Sequence, residues 1–158
     1  MTRQDNPIHQ VLKEILVPLG FSRKGDSWYH RSTEVVQVVN LQKSQYGNQY
    51  YLNYGAWLLT LSDSAFPREE KCHVRLRIED ISDAEEQYKN LLNLESDMGA
   101  EWRMASLREA FSSDLLPFIR RTGTIANVQR LYVEGELKRG IVHIDAKRLF
   151  DKAPSSHE

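Results

Sequence analysis

The apolar positions near the start of the chain recur every three or four residues, a spacing typical of one face of an α-helix. They are Ile8, Val11, Leu12, Ile15, Leu16 and Leu19. Asp5 or Asn6 can cap this helix, and Pro7 suits its first turn, where no amide donor is needed. Pro18 should shorten the last turn, and Gly20 should end the helix in the left-handed conformation, which costs a residue without a Cβ little.

Alternation of apolar and polar side chains then replaces the helical spacing and predicts strands. These strands cover residues 27–31, 34–44, 50–59 and 72–79. Residues 45–49, which include Gly47, separate the two longest strands and predict a hairpin. Because no helical pattern interrupts these strands, their connections must be short and the sheet antiparallel.

Helical spacing returns after Asp80. Ser82 and Glu85 have the spacing of a capping box, and a helix face of Tyr88, Leu91 and Leu92 follows. The next helix carries Leu107, Phe111, Leu115 and Phe118, with a kink or break at Pro117 and its end at Gly123. Two weaker helical stripes consist of Ile125, Val128, Leu131 and Tyr132, and of Ile141, Ile144 and Leu149. Residues 124–137 are compatible with helix or strand.

These patterns predict an α+β protein with an N-terminal helix, an antiparallel meander sheet of about four strands, and a C-terminal set of helices packed on one sheet face. A chain of 158 residues can bury one core but not two. We therefore expect a single domain over residues 1–152 and a frayed tail over residues 153–158.

The register of the hairpin decides which side chains share a sheet face. If Lys43 lies opposite Tyr50, one face is apolar and suits the core. That face holds Val35, Val39, Leu41, Leu52, Tyr54, Ala56 and Leu58. The opposite face holds Asn40, Gln42, Tyr51, Asn53 and Gly55, with Ser44 at its edge and Val36, Val38 and Trp57 further along.

The polar members of that second face are candidate ligand contacts. Amide side chains donate and accept hydrogen bonds, Tyr51 offers a ring and a hydroxyl, and Gly55 permits close approach. Three interpretations remain open: a face exposed to water, a buried network of mutually satisfied polar groups, or a binding surface.

A short basic row consists of His73, Arg75 and Arg77, which alternate along one strand. Such a row suits a carboxylate or a phosphate, although ion pairs with Glu69, Glu70 or Asp80 would explain it equally well. The candidate ligand-binding residues are therefore Asn40, Gln42, Ser44, Tyr51, Asn53, His73, Arg75 and Arg77.

Charge and cysteine content narrow the functional classes. A net charge of −1 argues against nucleic-acid binding through bulk charge. Residues 62–105, however, carry six basic and eleven acidic residues, which form either a solvated surface or a patch for a basic partner.

The only cysteine, Cys72, cannot form an internal disulfide, and its place in the alternating segment predicts a buried thiol. The polar start, residues 1–9, does not resemble a secretory signal, and no apolar run is long enough to span a membrane, so we expect a cytoplasmic protein.

Motifs of catalysis and cofactor binding are missing from the sequence. The glycines form no phosphate loop or dinucleotide fingerprint, the five histidines are dispersed, and no nucleophile elbow occurs. We therefore expect no cofactor, no metal and no catalytic residue, and the sequence favours a protein that is not an enzyme.

The segment VVQVVNLQKS at residues 35–44, followed by GNQYYLNYGAWL from Gly47, resembles a bacterial family of uncharacterised proteins, domain of unknown function 4304. Further similarity lies in LGFSRKGDSWYHR at residues 19–31, in the Cys72-His73 pair, and in LLPFI at residues 115–119. The resemblance covers most of residues 8–122. It implies one α+β domain and brings no activity, substrate or catalytic residue.

Two functional hypotheses follow. The first is a non-catalytic protein-interaction module, for example one with an immunity-like role, that binds another protein through the sheet face or the acidic middle segment. The alternative is a small polar or anionic ligand-binding protein, or an unrecognised enzyme, that uses the amide-rich face. Nucleic acid is a less favoured partner, no membrane partner is expected, and the oligomeric state is open.

Overall fold

The computed structural model describes residues 6–152, in which a helix, a six-stranded antiparallel sheet and a series of helices follow one another. The predicted α+β class is confirmed. In chain order the elements are α1 (Pro7–Leu16), β1 (Ser22–Lys24), β2 (Ser27–Arg31), β3 (Val35–Lys43), β4 (Tyr50–Leu58), β5 (Val74–Arg77), α2 (Ile78–Ile81), α3 (Glu85–Leu91), α4 (Ala100–Ala110), α5 (Leu116–Arg120), α6 (Ile125–Val133), β6 (Ile141–Val142) and α7 (Ile144–Lys152).

Helix α1 begins and ends where its sequence predicts. Asn6 is the cap, and its side-chain oxygen accepts a hydrogen bond from the His9 amide at 2.9 Å. A 3₁₀ turn at Val17–Leu19 follows the helix, and Gly20 then adopts a left-handed φ of 94°. The other candidate cap, Asp5, and the predicted frayed tail lie outside the described residues.

The six strands pair in sequence order, so the sheet is a meander within residues 6–152. It has two strands more than predicted, because β1 and β6 are only three and two residues long and too short for a recognisable alternation. Ile141 lies in β6 and pairs with Arg75, which corrects its assignment to a helical stripe with Ile144.

The hairpin of β3 and β4 has the predicted register, with Lys43 opposite Tyr50 and Asn40 opposite Asn53. The apolar face of the sheet, here called the core face, packs against α1, α4, α6 and α7. Leu12, Leu107, Val128 and Phe150 bring these four helices into the main hydrophobic core. Helices therefore cover one face of the sheet, as predicted.

The predicted capping box of α3 does not form. Helix α2 occupies the residues just before it, and Ser82 ends that helix by donating its amide to the Ile78 carbonyl. Ala84 is the residue that precedes α3, and no side chain caps this end. The Ser82 hydroxyl instead accepts from the Ala84 amide at 3.4 Å.

Helices α4 and α5 join through a π-helical turn at Phe111–Leu115. Pro117 lies in the first turn of α5, where the wider turn before it tolerates the missing amide, so the helix continues through the predicted break. The run ends at Arg120, with Arg121 as its C-cap, rather than at Gly123, which is not in the left-handed conformation. Thr124 then caps α6 by accepting a hydrogen bond from the Asn127 amide. Residues 125–133 are therefore helix rather than strand.

None of the helices within the described part of the chain is both long and apolar enough to cross a membrane.

Candidate functional site

The face of the sheet opposite the core is divided into a covered half and an open half. On the covered half, Val36, Val38 and Cys72 form a small buried cluster against which Tyr29 and Trp57 pack. This half is therefore buried, and the three interpretations concern the polar side chains of the other half.

Gly55 explains how the chain can cover this half. A Cβ at Gly55 would lie 2.8 Å from the Sγ of Cys72 and 3.0 Å from its Cβ. The close approach predicted at Gly55 is therefore made by the protein's own chain and not by a ligand. Cys72 is buried as predicted, and burial raises the pKa of its thiol to about 12, but it ends the 3₁₀ turn at Glu69–Lys71 instead of continuing β5.

The open half forms a polar cleft of about 500 Å³, here called the sheet-face cleft. Its floor comes from strands β2 to β5, and one wall comes from the segment that holds the 3₁₀ turn. The cleft is lined by Ser27, Tyr29, Asn40, Gln42, Asn53, Arg68, Glu69, Glu70 and Arg75.

The amides predicted to share this face lie in direct contact. Asn53 Nδ2 donates to Asn40 Oδ1 at 3.1 Å and to Gln42 Oε1 at 3.0 Å. Asn40 Nδ2 donates in turn to the Ser27 hydroxyl at 2.9 Å, because Ser27 is opposite Asn40 in the register of β2 and β3. Within residues 6–152, Asn53 Oδ1 and the Gln42 Nε2 group have no hydrogen-bond partner, so this network keeps both an acceptor and a donor for a ligand.

A salt bridge lies beside the amides. Arg75 Nε donates to Glu69 Oε2 at 3.1 Å, and Glu69 is only 8% exposed. Burial raises the pKa of the Glu69 carboxyl, and the Arg75 guanidinium opposes this effect. Arg68 and Glu70 are exposed at the rim, and neither side chain forms an ion pair with another described residue.

Arg77 and Tyr51 lie next to the cleft rather than in it. The Arg77 guanidinium carbon is 4.3 Å from the centroid of the Tyr51 ring, a cation–π distance. Arg77 lines an adjoining recess of about 260 Å³ together with Asp80 and Arg139. The Asp80 carboxylate accepts from the backbone amide of Arg77, so it caps α2.

Two other predicted residues serve local structure. His73 Nδ1 accepts a hydrogen bond from the Leu58 amide at 2.9 Å, and its ring packs on Trp57 with centroids 4.4 Å apart. Burial, with a smaller effect of His143, lowers the pKa of His73, so this side chain is not part of a basic row at neutral pH. The Ser44 hydroxyl accepts from the Tyr46 amide in the hairpin turn.

Five lining residues were absent from the sequence-based set: Ser27, Tyr29, Arg68, Glu69 and Glu70. Pairing the predicted strand at residues 27–31 with the next strand could have found Ser27. Arg68, Glu69 and Glu70 could not be found in this way, because alternation carries no information about where the segment between β4 and β5 crosses the sheet. Among residues 6–152, no three His, Cys, Asp or Glu side chains are placed so that they could hold a metal ion.

The fold and cleft define an α+β protein with helices on one face of an antiparallel meander and a polar cleft on the other. The sequence profile of a family described as a domain of unknown function (DUF4304) matches residues 12–121, and the chain belongs to that family. No curated protein and no solved structure matches the chain.

Proposed function

We propose that this protein binds a small polar ligand in the sheet-face cleft. The observation that carries the proposal is the convergence of Asn40, Gln42, Asn53 and Arg75 on one concave surface, with hydrogen-bonding atoms left unused. Ligand sites typically combine a preformed concavity with a few polar groups that fix orientation. The proposal assigns no catalytic residue.

A thermal-shift screen tests this proposal. Sugars, nucleosides, amino acids and small carboxylates are added to the wild type and to Asn53→Leu, which removes the central amide of the network. A ligand at about 100 times its dissociation constant adds roughly 2.7 kcal/mol to the free energy of unfolding. We expect at least one compound to raise the melting temperature of the wild type but not that of Asn53→Leu.

Lys43→Ala is the matched control, since Lys43 is exposed at the end of β3 and does not line the cleft. It should keep the wild-type response. Proposed binding at the cleft is contradicted if no compound shifts the wild type, or if Asn53→Leu responds as the wild type does.

A second candidate function, a cytoplasmic interaction module for a basic protein, is favoured by Trp102. This side chain lies in the first turn of α4 and is 68% exposed, and large aromatic side chains are frequent anchors of interfaces. Exposed carboxylates occur nearby in the sequence, namely Glu85, Glu86, Glu95, Asp97 and Glu101. An immunity-like role is one form of this proposal.

Retention of proteins from an extract of the source cells tests this second candidate. A basic protein held by the wild type and by Asn53→Leu, but released by Trp102→Ala, would support it. Equal retention of that protein by the wild type and by Trp102→Ala would contradict this second candidate function.

A further inference from the structure

The charges around the sheet-face cleft cancel. Arg68 and Arg75 supply two positive charges, and Glu69 and Glu70 supply two negative charges. Arg75 is in addition already paired with Glu69 inside the cleft. An incoming phosphate or carboxylate would therefore have to compete with a buried carboxylate for Arg75 and would meet like charge from Glu69 and Glu70.

The hydrogen-bonding atoms left unused in the cleft are of both kinds. Asn53 Oδ1 and Glu69 Oε1 can accept, while Gln42 Nε2 and the two Nη groups of Arg75 can donate; within the described residues none of these atoms has a partner. Asn53, Glu69 and Ser27 are each at least nine-tenths buried, so these three side chains are held in place, whereas Gln42 is exposed. A ligand that covers these atoms must pair with both kinds, because a polar group that is buried without a partner costs free energy.

The floor of the cleft includes one aromatic residue. Tyr29 lines the cleft from β2, and its ring and that of Phe66 are in edge-to-face contact with centroids 5.2 Å apart. An aromatic side chain at a cleft favours contact with a planar or puckered ring.

We infer that the sheet-face cleft selects an uncharged ring compound whose groups both donate and accept hydrogen bonds, in preference to an anion. This inference rests on the proposed function and specifies its ligand class. Sugars and nucleosides share this chemistry, and the two are distinguished by the test.

Isothermal titration calorimetry with adenosine, methyl glucoside and inorganic phosphate tests the inference. At least one of the two uncharged probes should bind about tenfold more tightly than phosphate, a difference of about 1.4 kcal/mol. Its affinity should stay unchanged when the salt concentration is raised from roughly 50 to 500 mM, because screening acts only on charge interactions. The uncharged probe that binds more tightly shows whether the ligand class is a nucleoside or a sugar.

Removing the carboxylates provides the converse test. Glu70→Gln alters only an exposed side chain, and Glu69→Gln keeps an oxygen that can accept from Arg75. Both variants should bind phosphate more tightly than the wild type does, while binding of the uncharged probe should persist in Glu70→Gln.

Three results would overturn the inference. Phosphate binding in the wild type without binding of either uncharged probe would refute it and leave the proposed function intact. No binding of any of the three probes would also refute it, and the thermal-shift screen would then decide the proposed function separately. Equal phosphate affinity in the wild type and both carboxylate variants would show that Glu69 and Glu70 do not exclude anions.

Discussion

The Arg103 guanidinium is buried, and its hydrogen bonds run to carbonyl and hydroxyl oxygens. Nη1 donates to the Asn90 and Leu91 carbonyls at 3.1 and 2.7 Å. Nη2 donates to the carbonyl and hydroxyl of Ser96 at 3.2 and 2.9 Å. The first two carbonyls belong to the C-terminal end of α3, where main-chain oxygens have no partner within the helix and where a positive charge is favourable.

Arg103→Ala should therefore lower the free energy of unfolding by about 2–4 kcal/mol, since the buried Leu91 carbonyl and the partly buried Ser96 oxygens lose a donor. Denaturant unfolding measures this loss. Arg108→Ala is the matched control on the same helix, because Arg108 is exposed and pairs with Glu14 at 2.7 Å; it should cost less than about 1 kcal/mol. Equal losses in the two variants would contradict the structural role of Arg103.

His73 should make stability depend on pH. Because burial lowers the pKa of His73 below its ordinary value of 6.5, the folded protein favours the neutral ring, and stability should fall as the pH drops from that value through the lowered pKa. His73→Asn keeps an acceptor for the Leu58 amide but cannot take up a proton. Unfolding measured at about pH 7.5 and about pH 5, on either side of the ordinary histidine pKa, should show a smaller loss of unfolding free energy at the lower pH in the variant than in the wild type. An unchanged pH dependence would be evidence against this role of His73.

At the scale of elements, β6 depends on Gly140. A Cβ at this position would overlap the carbonyl oxygen of Arg75 and lie 2.6 Å from Leu76 Cγ. The backbone oxygen cannot move without disturbing β5. Gly140 thus allows the short strand β6 to pair with β5. Helix α7 then begins just after β6, at the edge of the sheet.

Gly140→Ala should destabilise the protein by about 1–3 kcal/mol and speed hydrogen exchange in β6, because overpacking against main chain is relieved by strand displacement. Gly123→Ala serves as the control, since a Cβ there meets no atom within 4 Å and its φ is not positive. Its effect should stay within about 0.5 kcal/mol. An equally small loss of unfolding free energy in Gly140→Ala would contradict the close packing of Gly140 against β5.

The register of β3 and β4 could be predicted from the sequence because two alternating segments and a short turn allow few pairings that bury one apolar face. The strand β6 and the first residue of α3 could not be predicted from the sequence. A two-residue strand carries too few positions for a period, and Ser82 ends one helix where its spacing with Glu85 suggested the beginning of the next.

At the scale of the molecule, the two faces of the sheet have different roles. The core face includes a buried polar link, in which Gln37 Nε2 donates to the Ile119 carbonyl at 2.7 Å and the Tyr54 and Thr122 hydroxyls are 2.6 Å apart. The other face keeps its amides at an open cleft. The sequence predicted which amides share that face, but Arg68, Glu69 and Glu70 belong to the site only because the segment between β4 and β5 folds back over the sheet, a tertiary contact that no local pattern encodes.

The unused Gln42 Nε2 and Asn53 Oδ1 atoms are the groups that we propose contact the ligand. Amide NMR spectra recorded during titration with a compound that raises the melting temperature test this claim residue by residue. We expect shifts in the side-chain amides of Asn40, Gln42 and Asn53 and in the backbone amides of Ser27 and Glu69, with the resonances of Trp102 unchanged. Shifts confined to α3 and α4, with the cleft amides unmoved, would contradict it.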